Sequence, residues 1–365
     1  MKQVNLFDIC TPKQWKTIPA TLFTQSGFPV YGANGKIGFY SEYNHLTPTL
    51  MITCRGATCG SLNISEPQSY ITGNAMALDD LDENIDLKYL YYYFNVRGFS
   101  DVISGSAQPQ ITREGLSKVF VPILPIELQL QISNRLDQAD TLRQKRKQAI
   151  NLLDEYLKSV FLEMFGDPVT NPKKWNKKSL RDIGEIITGN TPSRADKSNY
   201  SDSFIEWIKT DNIVEGKIYL THANEYLSEA GFKKARFVTS GAVLIACIAG
   251  SVESIGRVAL ADRKVSFNQQ INAIQPNDKV NSVYLYWLFR ITKSYIQEQA
   301  TRGMKKILTK GEFEKIEMII PPIDLQNKFA GIVQDTESLK QKMLKQSDEL
   351  DNQFQALMQK HFNPN

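Results

Sequence analysis

The sequence predicts an α+β protein in which two compact α/β domains are separated by two long antiparallel coiled-coil helices, as a pseudo-two-fold, cyclic repeat. Two observations carry this. First, a shift of 197 residues lays Gln108–Phe165 on Lys305–Phe362 without a gap, placing Thr112 on Thr309, PIELQ (Pro125–Gln129) on PIDLQ (Pro322–Gln326) and Phe165 on Phe362. At a shift of 195, YLYYYF (Tyr89–Phe94) meets YLYWLF (Tyr284–Phe289). Such self-similarity marks one structural unit used twice. Second, each proline is followed by a long stripe in steps of four and three. Ile132, Leu136, Ala139, Arg143, Arg146, Ile150, Leu153, Leu157, Val160 and Met164 form the first stripe. The second runs through Phe329, Val333, Thr336, Lys340, Met343, Ser347, Leu350, Phe354, Leu357 and His361. That spacing is a coiled-coil seam with a polar middle.

The elements follow in order. The expected boundaries are a first domain at 1–122, a central helix at 123–166, a second domain at 167–319 and a C-terminal helix at 320–365. Pro125 and Pro322 suit helix starts, where a missing N–H costs nothing. Gly166, Asp167 and Pro168 stop the first helix. Within the domains, GFPVYGANGKIGFY, LMITCRGATCGSLN and GAVLIACIAGSVESIGRVAL are β-branched or aromatic runs punctuated by Gly and Asn, hence strands and hairpins. Tyr89–Phe94 and Tyr284–Phe289 read as short helices closing each sheet. The phrase LFDICTPKQW (Leu6–Trp15) matches the junction FGDPVTNPKKW (Phe165–Trp175) at a shift of 160, and reads as the same exit from a long helix into a domain. From Trp15 to Tyr89 the first copy spans 74 residues, and from Trp175 to Tyr284 the second spans 109. A variable part thus precedes a constant one, as a fixed frame carrying two different readers would require.

Composition excludes several classes. With 42% hydrophobic and 22% charged residues the chain is globular, and no apolar run approaches the ~20 residues of a membrane span. No membrane partner is expected, and the expected location is the cytoplasm. Cys10, Cys54, Cys59 and Cys247 show neither CxxC spacing nor a disulfide framework, and the three histidines are scattered. No metal site is expected. The net charge of +4 is mild, but basic residues cluster in NPKKWNKKSLR, RQKRK and TRGMKKILTK. Phosphate contacts could use them, but a solvated helix face or loop is the plainer reading of any one.

Motifs for catalysis are missing. No GxxxxGK[ST] loop occurs, and the nearest approach to the Asn/Asp-Pro-Pro-aromatic motif of an amino-methyltransferase, Asn171-Pro172-Lys173-Lys174, lacks the second proline and the aromatic. Asp211 with Glu215-Gly216-Lys217 fits the carboxylate pattern of a Mg²⁺ nuclease, but so short a pattern often arises by chance and sits where a polar hairpin turn is expected. Recognition remains. Two unlike domains on a helical frame suit a ligand with two separated patches, such as duplex DNA carrying an asymmetric, bipartite site.

The Pro-x-x-x-Gln helix starts, the FGDPVTNPKKW junction and the two variable domains resemble the specificity subunit of Type I restriction–modification enzymes. PVYGANGKIGF, GSAQPQIT, TGNTPSR, WIKTDNI, SIGRVAL and NQQINAI are similar to pieces of that family's target-recognition domains. The resemblance implies a non-catalytic, DNA-binding subunit acting in host defence. It implies partners too: double-stranded DNA, two modification (methyltransferase) subunits that methylate adenine, and restriction/translocase subunits. No cofactor is implied for this chain; S-adenosylmethionine, ATP and Mg²⁺ would belong to the partners. The helices would set the unread spacer between half-sites, one added turn lengthening it by one to two base pairs at ~3.4 Å each.

Base readout favours loop-borne Arg, Lys, Asn and Gln. The candidates are Asn34, Lys36, Arg55 and Gln108 in the first domain, and Asn190, Ser193, Arg194, Lys209, Arg257, Lys305 and Lys306 in the second. Gln269 and Gln270 read as structural, and Tyr31 and Trp207 as core aromatics or stacking platforms. Gln144, Lys145, Gln341 and Lys342 recur at matching helix positions and are candidate contacts for the modification subunits, or simply solvate the helices. Two other readings stay open: a stand-alone Mg²⁺-dependent nuclease using Asp211, Glu215 and Lys217, and a coiled-coil protein scaffold.

Overall fold

The computed structural model describes residues 2–105, 108–248, 251–301 and 307–362. The chain divides into two units, residues 1–148 with 345–365, and residues 149–344. Each unit holds one α/β domain, part of the helix Ile126–Phe165 and part of the helix Ile323–Phe362.

In the first unit the central layer is an antiparallel sheet with the strand order Thr11–Lys13, Ala75–Asp79, Leu50–Thr53, Leu62–Ile64. Strands alternate their side chains between two faces. Leu50 and Ile52 therefore join the core formed with the helix Leu87–Arg97, while Met51 turns to a second sheet through Tyr31 and Ile71. That second sheet orders Gly35–Tyr40, Phe28–Gly32 and Tyr70–Ile71, its last pair parallel. Burial on both faces explains why LMIT is wholly apolar apart from its terminal threonine.

The second unit repeats this topology. Its central sheet orders Gly184–Thr188, Ile271–Pro276, Val243–Ala246, Val258–Leu260, and the helix Ser282–Ile291 closes it. A second sheet again contains a parallel pair, Ile205–Ile208 with Val265–Phe267. The repeat extends to single hydrogen bonds. Tyr89 donates to the Pro122 carbonyl and Tyr284 to that of Ile319, each at 2.8 Å. The two YLY segments are helical, as the sequence predicts.

One sequence match is overturned. Leu6–Asp8 follows the strand Lys2–Asn5, and its counterpart is Leu180–Ile183 after the strand Lys177–Ser179. Leu6 N–H donates to Val119 and Leu180 N–H to Ile316, positions that the 197-residue shift equates. LFDIC therefore corresponds to LRDIG, not to FGDPV. The two Pro-Lys-x-Trp phrases do different work. Pro12 lies in an edge strand, where no ladder N–H is needed. Pro172 instead lies in a loop whose Trp175 Nε1 donates to the Phe165 carbonyl.

All twenty predicted seam positions are buried or half-buried. In the first unit Ile132 and Leu136 share a core with Met358 and Phe362, while Arg143 meets Asp351 at 2.5 Å, so the two helical segments run antiparallel. In the second, Phe161 packs on Phe329 and Asp154 pairs with Lys340 at 3.1 Å, again antiparallel. Beyond the seam, Gln129 and Gln326 are fully buried. Gln129 accepts from the Asp86 N–H and donates to the Asn84 and Leu124 carbonyls. Gln326 makes the same three bonds, to Asn281, Lys279 and Pro321. The glutamine of each Pro-x-x-x-Gln phrase thus staples a long helix to the N-cap of its closing helix.

Candidate nucleic-acid interface

In the first domain three loops meet. Phe28–Gly32 and Gly35–Tyr40 form a hairpin whose tip holds Asn34, with Gly35 at φ 96°, a conformation that favours glycine. Asn34 Oδ1 accepts from Thr58 Oγ1 at 2.6 Å, and Thr53 Oγ1 donates to the Ala33 carbonyl. On its other side the loop after Thr53 bridges Arg55 to Gln110, and the Gly56 N–H donates to the Pro109 carbonyl at 3.1 Å. Asn34, Arg55 and Gln108 are all exposed along this connected set of loops. Lys36 is exposed but ion-paired with Glu66 at 3.2 Å, and Glu66 also accepts from Tyr31.

The second domain builds its site on the loop after Gly184–Thr188. A Cβ at Gly189 would come within 2.1 Å of the Asn268 carbonyl oxygen, so only glycine lets the loop pass there. Asn190 then ties both ends of its amide to the scaffold, donating to the Lys234 carbonyl and accepting from the Arg236 N–H. Asn199, fully buried, donates to the Ser193 carbonyl and leaves the Ser193 side chain exposed. Tyr200 OH donates to Pro192, and Trp207 Nε1 to Asn190.

On this base Arg194 lies 4.6 Å from the Tyr200 ring centre and 5.0 Å from that of Trp207. Its Nη2 donates to Glu225 Oε2 at 2.6 Å, and Lys209 Nζ donates to the other carboxylate oxygen. The Lys209 hydrogen bond, with help from Arg194, holds the Glu225 carboxyl below its usual range against a smaller opposing effect of burial. Trp207 is buried at 3% exposure, as a core aromatic whose ring still reaches Arg194 and Lys209.

The structure therefore groups Asn190, Ser193, Arg194 and Lys209. Arg257 stands apart: it precedes Val258–Leu260, at the opposite edge of the central sheet from Gly184–Thr188, and its Nε donates to the Ser254 carbonyl. Lys305 and Lys306 lie outside the described residues. Gln269 and Gln270 sit in a turn closed by Asn268 and Thr191, matching the structural reading. Glu225, which sequence reasoning missed, carries no local motif; only the fold brings it to Arg194. Gln144, Lys145, Gln341 and Lys342 are exposed on the long helices, Gln144 bonding Asp140 one turn away.

Of the nuclease pattern, Glu215 is ion-paired with Lys293 at 2.7 Å, and no group of three or more His, Cys, Asp and Glu suited to a metal occurs among the described residues. No described helix is long and apolar enough to cross a membrane.

The profile of the Type I restriction modification DNA specificity domain matches residues 1–152 and 172–350. The HindI specificity subunit of Haemophilus influenzae is 30% identical over 175 residues, covering 45% of this chain and 37% of that protein. The MjaIX specificity subunit of Methanocaldococcus jannaschii is 30% identical over 186 residues, covering 49% and 42%. These matches span less than half the length of either relative. A putative specificity subunit of H. influenzae, S.HindORF215P, aligns over 89% of this chain and 84% of its own length at 24% identity. In fold, the chain resembles the crystal structure of the Type I S subunit from M. genitalium, with a TM-score of 0.64 at 14% identity over 100% of this chain and 96% of that one. With both halves matched by one profile and both sharing one topology, the chain belongs to the Type I restriction–modification DNA specificity family.

Proposed function

We propose that this chain is the DNA sequence-specificity subunit of a Type I restriction–modification complex. It binds an asymmetric bipartite site, each domain reads one half-site, and partner subunits methylate adenine or restrict. One observation carries the reading: two domains whose central sheets share one strand order present different polar side chains on their loops, Asn34, Arg55 and Gln108 in one and Ser193, Arg194 and Lys209 in the other. Equal frames with unequal surfaces suit a ligand with two unlike halves. Asn190, Lys36, Arg257, Lys305 and Lys306 remain proposed DNA contacts as well, the first three of them also bonded within the protein.

The two modification subunits are proposed to dock on the long helices, through Gln144, Lys145, Gln341 and Lys342. Exposed Leu142, Leu152, Tyr156 and Leu339 on the same helices support a protein partner there. The chain itself performs no chemistry in this reading, and restriction subunits complete the complex. The test is a base-resolution map of modified adenines in the native host, with and without the gene. One bipartite motif losing methylation on deletion establishes the role, and an unchanged map refutes it.

A further inference from the structure

We propose that Arg194 reads a guanine in the half-site of the second domain, held in reading position by the Glu225 carboxylate and the faces of Tyr200 and Trp207. This rests on the function proposed above and assigns one side chain to one base.

A free surface arginine loses ~2 kcal/mol of rotamer freedom when a ligand fixes it. Arg194 is already fixed, although 54% of its side chain is exposed. The rings that flank it are themselves tied down by Tyr200 OH to Pro192 at 2.7 Å and Trp207 Nε1 to Asn190 at 3.2 Å. Its own backbone is held through the buried Asn199, which bonds the preceding carbonyl at 2.9 Å.

Hydrogen bonding leaves most of the guanidinium unused. Among the described residues its one hydrogen bond goes from Nη2 to Glu225. The remaining N–H groups include a pair able to meet the O6 and N7 acceptors of guanine in parallel. Glu225 sits between Arg194 and Lys209, with one oxygen on each, so the cluster keeps a net positive charge that would serve a base edge or a phosphate. A fixed planar fork matches the two acceptors of guanine, and only a base contact makes the effect depend on sequence. Glu225 is thus a positioning residue: it orients the fork.

The test replaces the native allele and maps adenine methylation genome-wide. Wild type is expected to show a G·C pair in one half-site that Arg194→Ala and Arg194→Lys relax. Discrimination at that position should fall roughly 5- to 150-fold, with every other position still sharp. Arg194→Lys keeps the charge, and the first half-site reports on folding within the same molecule. Glu225→Gln should keep the guanine preference while lowering methylation at all sites carrying it. A position that stays sharp in both Arg194 variants overturns the proposal. So does an even loss of methylation across all sequences, which would make Arg194 a phosphate contact. If deleting the gene leaves every motif methylated, the functional reading itself falls and takes this one with it.

Discussion

Gln129 and Gln326 show what a single residue does in this repeat. Each is fully buried, and each satisfies one N–H and two carbonyls at the junction between a long helix and its closing helix. Leucine has nearly the same volume and none of these bonds. Buried polar groups left without partners cost ~1–3 kcal/mol each, partly relieved by relaxation. Gln129→Leu and Gln326→Leu should therefore each lower the unfolding free energy by ~2–4 kcal/mol, read from urea denaturation. A loss below ~0.5 kcal/mol in both would show that the staple is dispensable. The sequence made these glutamines visible as a repeated letter but not as buried ones. Their partners at Asn84, Asp86, Lys279 and Asn281 lie 43 to 47 residues upstream, and a polar residue in a helix's first turn looks solvated. Glu225 was hidden for the same reason, since Arg194 reaches it only across the folded sheet.

The long helices were the most legible elements, because their burial follows a period that the sequence displays directly. Their polar middle also repeats. Arg143 with Asp351 and Lys340 with Asp154 are the same pair under the 197-residue shift, one in each unit. Burial raises the Asp154 pKa, but hydrogen bonds and charge from Arg290 and Lys340 outweigh it and hold the carboxyl below its ordinary 3.8. A carboxyl with a depressed folded pKa adds stability that is present above its unfolded pKa and lost as pH falls through the folded one. Asp154→Asn should therefore destabilise the protein at pH 7, with the gap to wild type closing below about pH 4. Thermal melts of both proteins from neutral pH into acid check this, and a gap that widens toward acid would refute it. The short phrases were less legible than the helices. LFDIC and FGDPV share a few letters, and only the strand pairing of Lys2–Asn5 with Phe120–Ile123 reveals which residues occupy equivalent places.

At the scale of the molecule, the repeat predicts two cores that respond separately to damage. In the first unit Phe362 stacks near Tyr89 and Tyr93 at 5.3 and 6.1 Å. In the second, Phe165 stands 4.9 Å from Tyr284. Gapless self-similarity makes this correspondence readable in the letters alone, since Phe165 and Phe362 are 197 residues apart. What it could not show is which core each phenylalanine enters, because that depends on where each long helix passes from one unit to the other. Removing a buried phenylalanine costs ~3–5 kcal/mol, through lost burial and the cavity left behind. Exchange of core amides tracks the local or global opening that such a loss promotes. Phe362→Ala should therefore speed hydrogen exchange in Leu87–Arg97 and leave Ser282–Ile291 unchanged, and Phe165→Ala should do the reverse. Mass-spectrometric exchange on the full chain resolves the two helices as separate peptides. If either substitution accelerates both to the same degree, the continuous helices carry cooperativity through the whole chain and the two cores unfold as one.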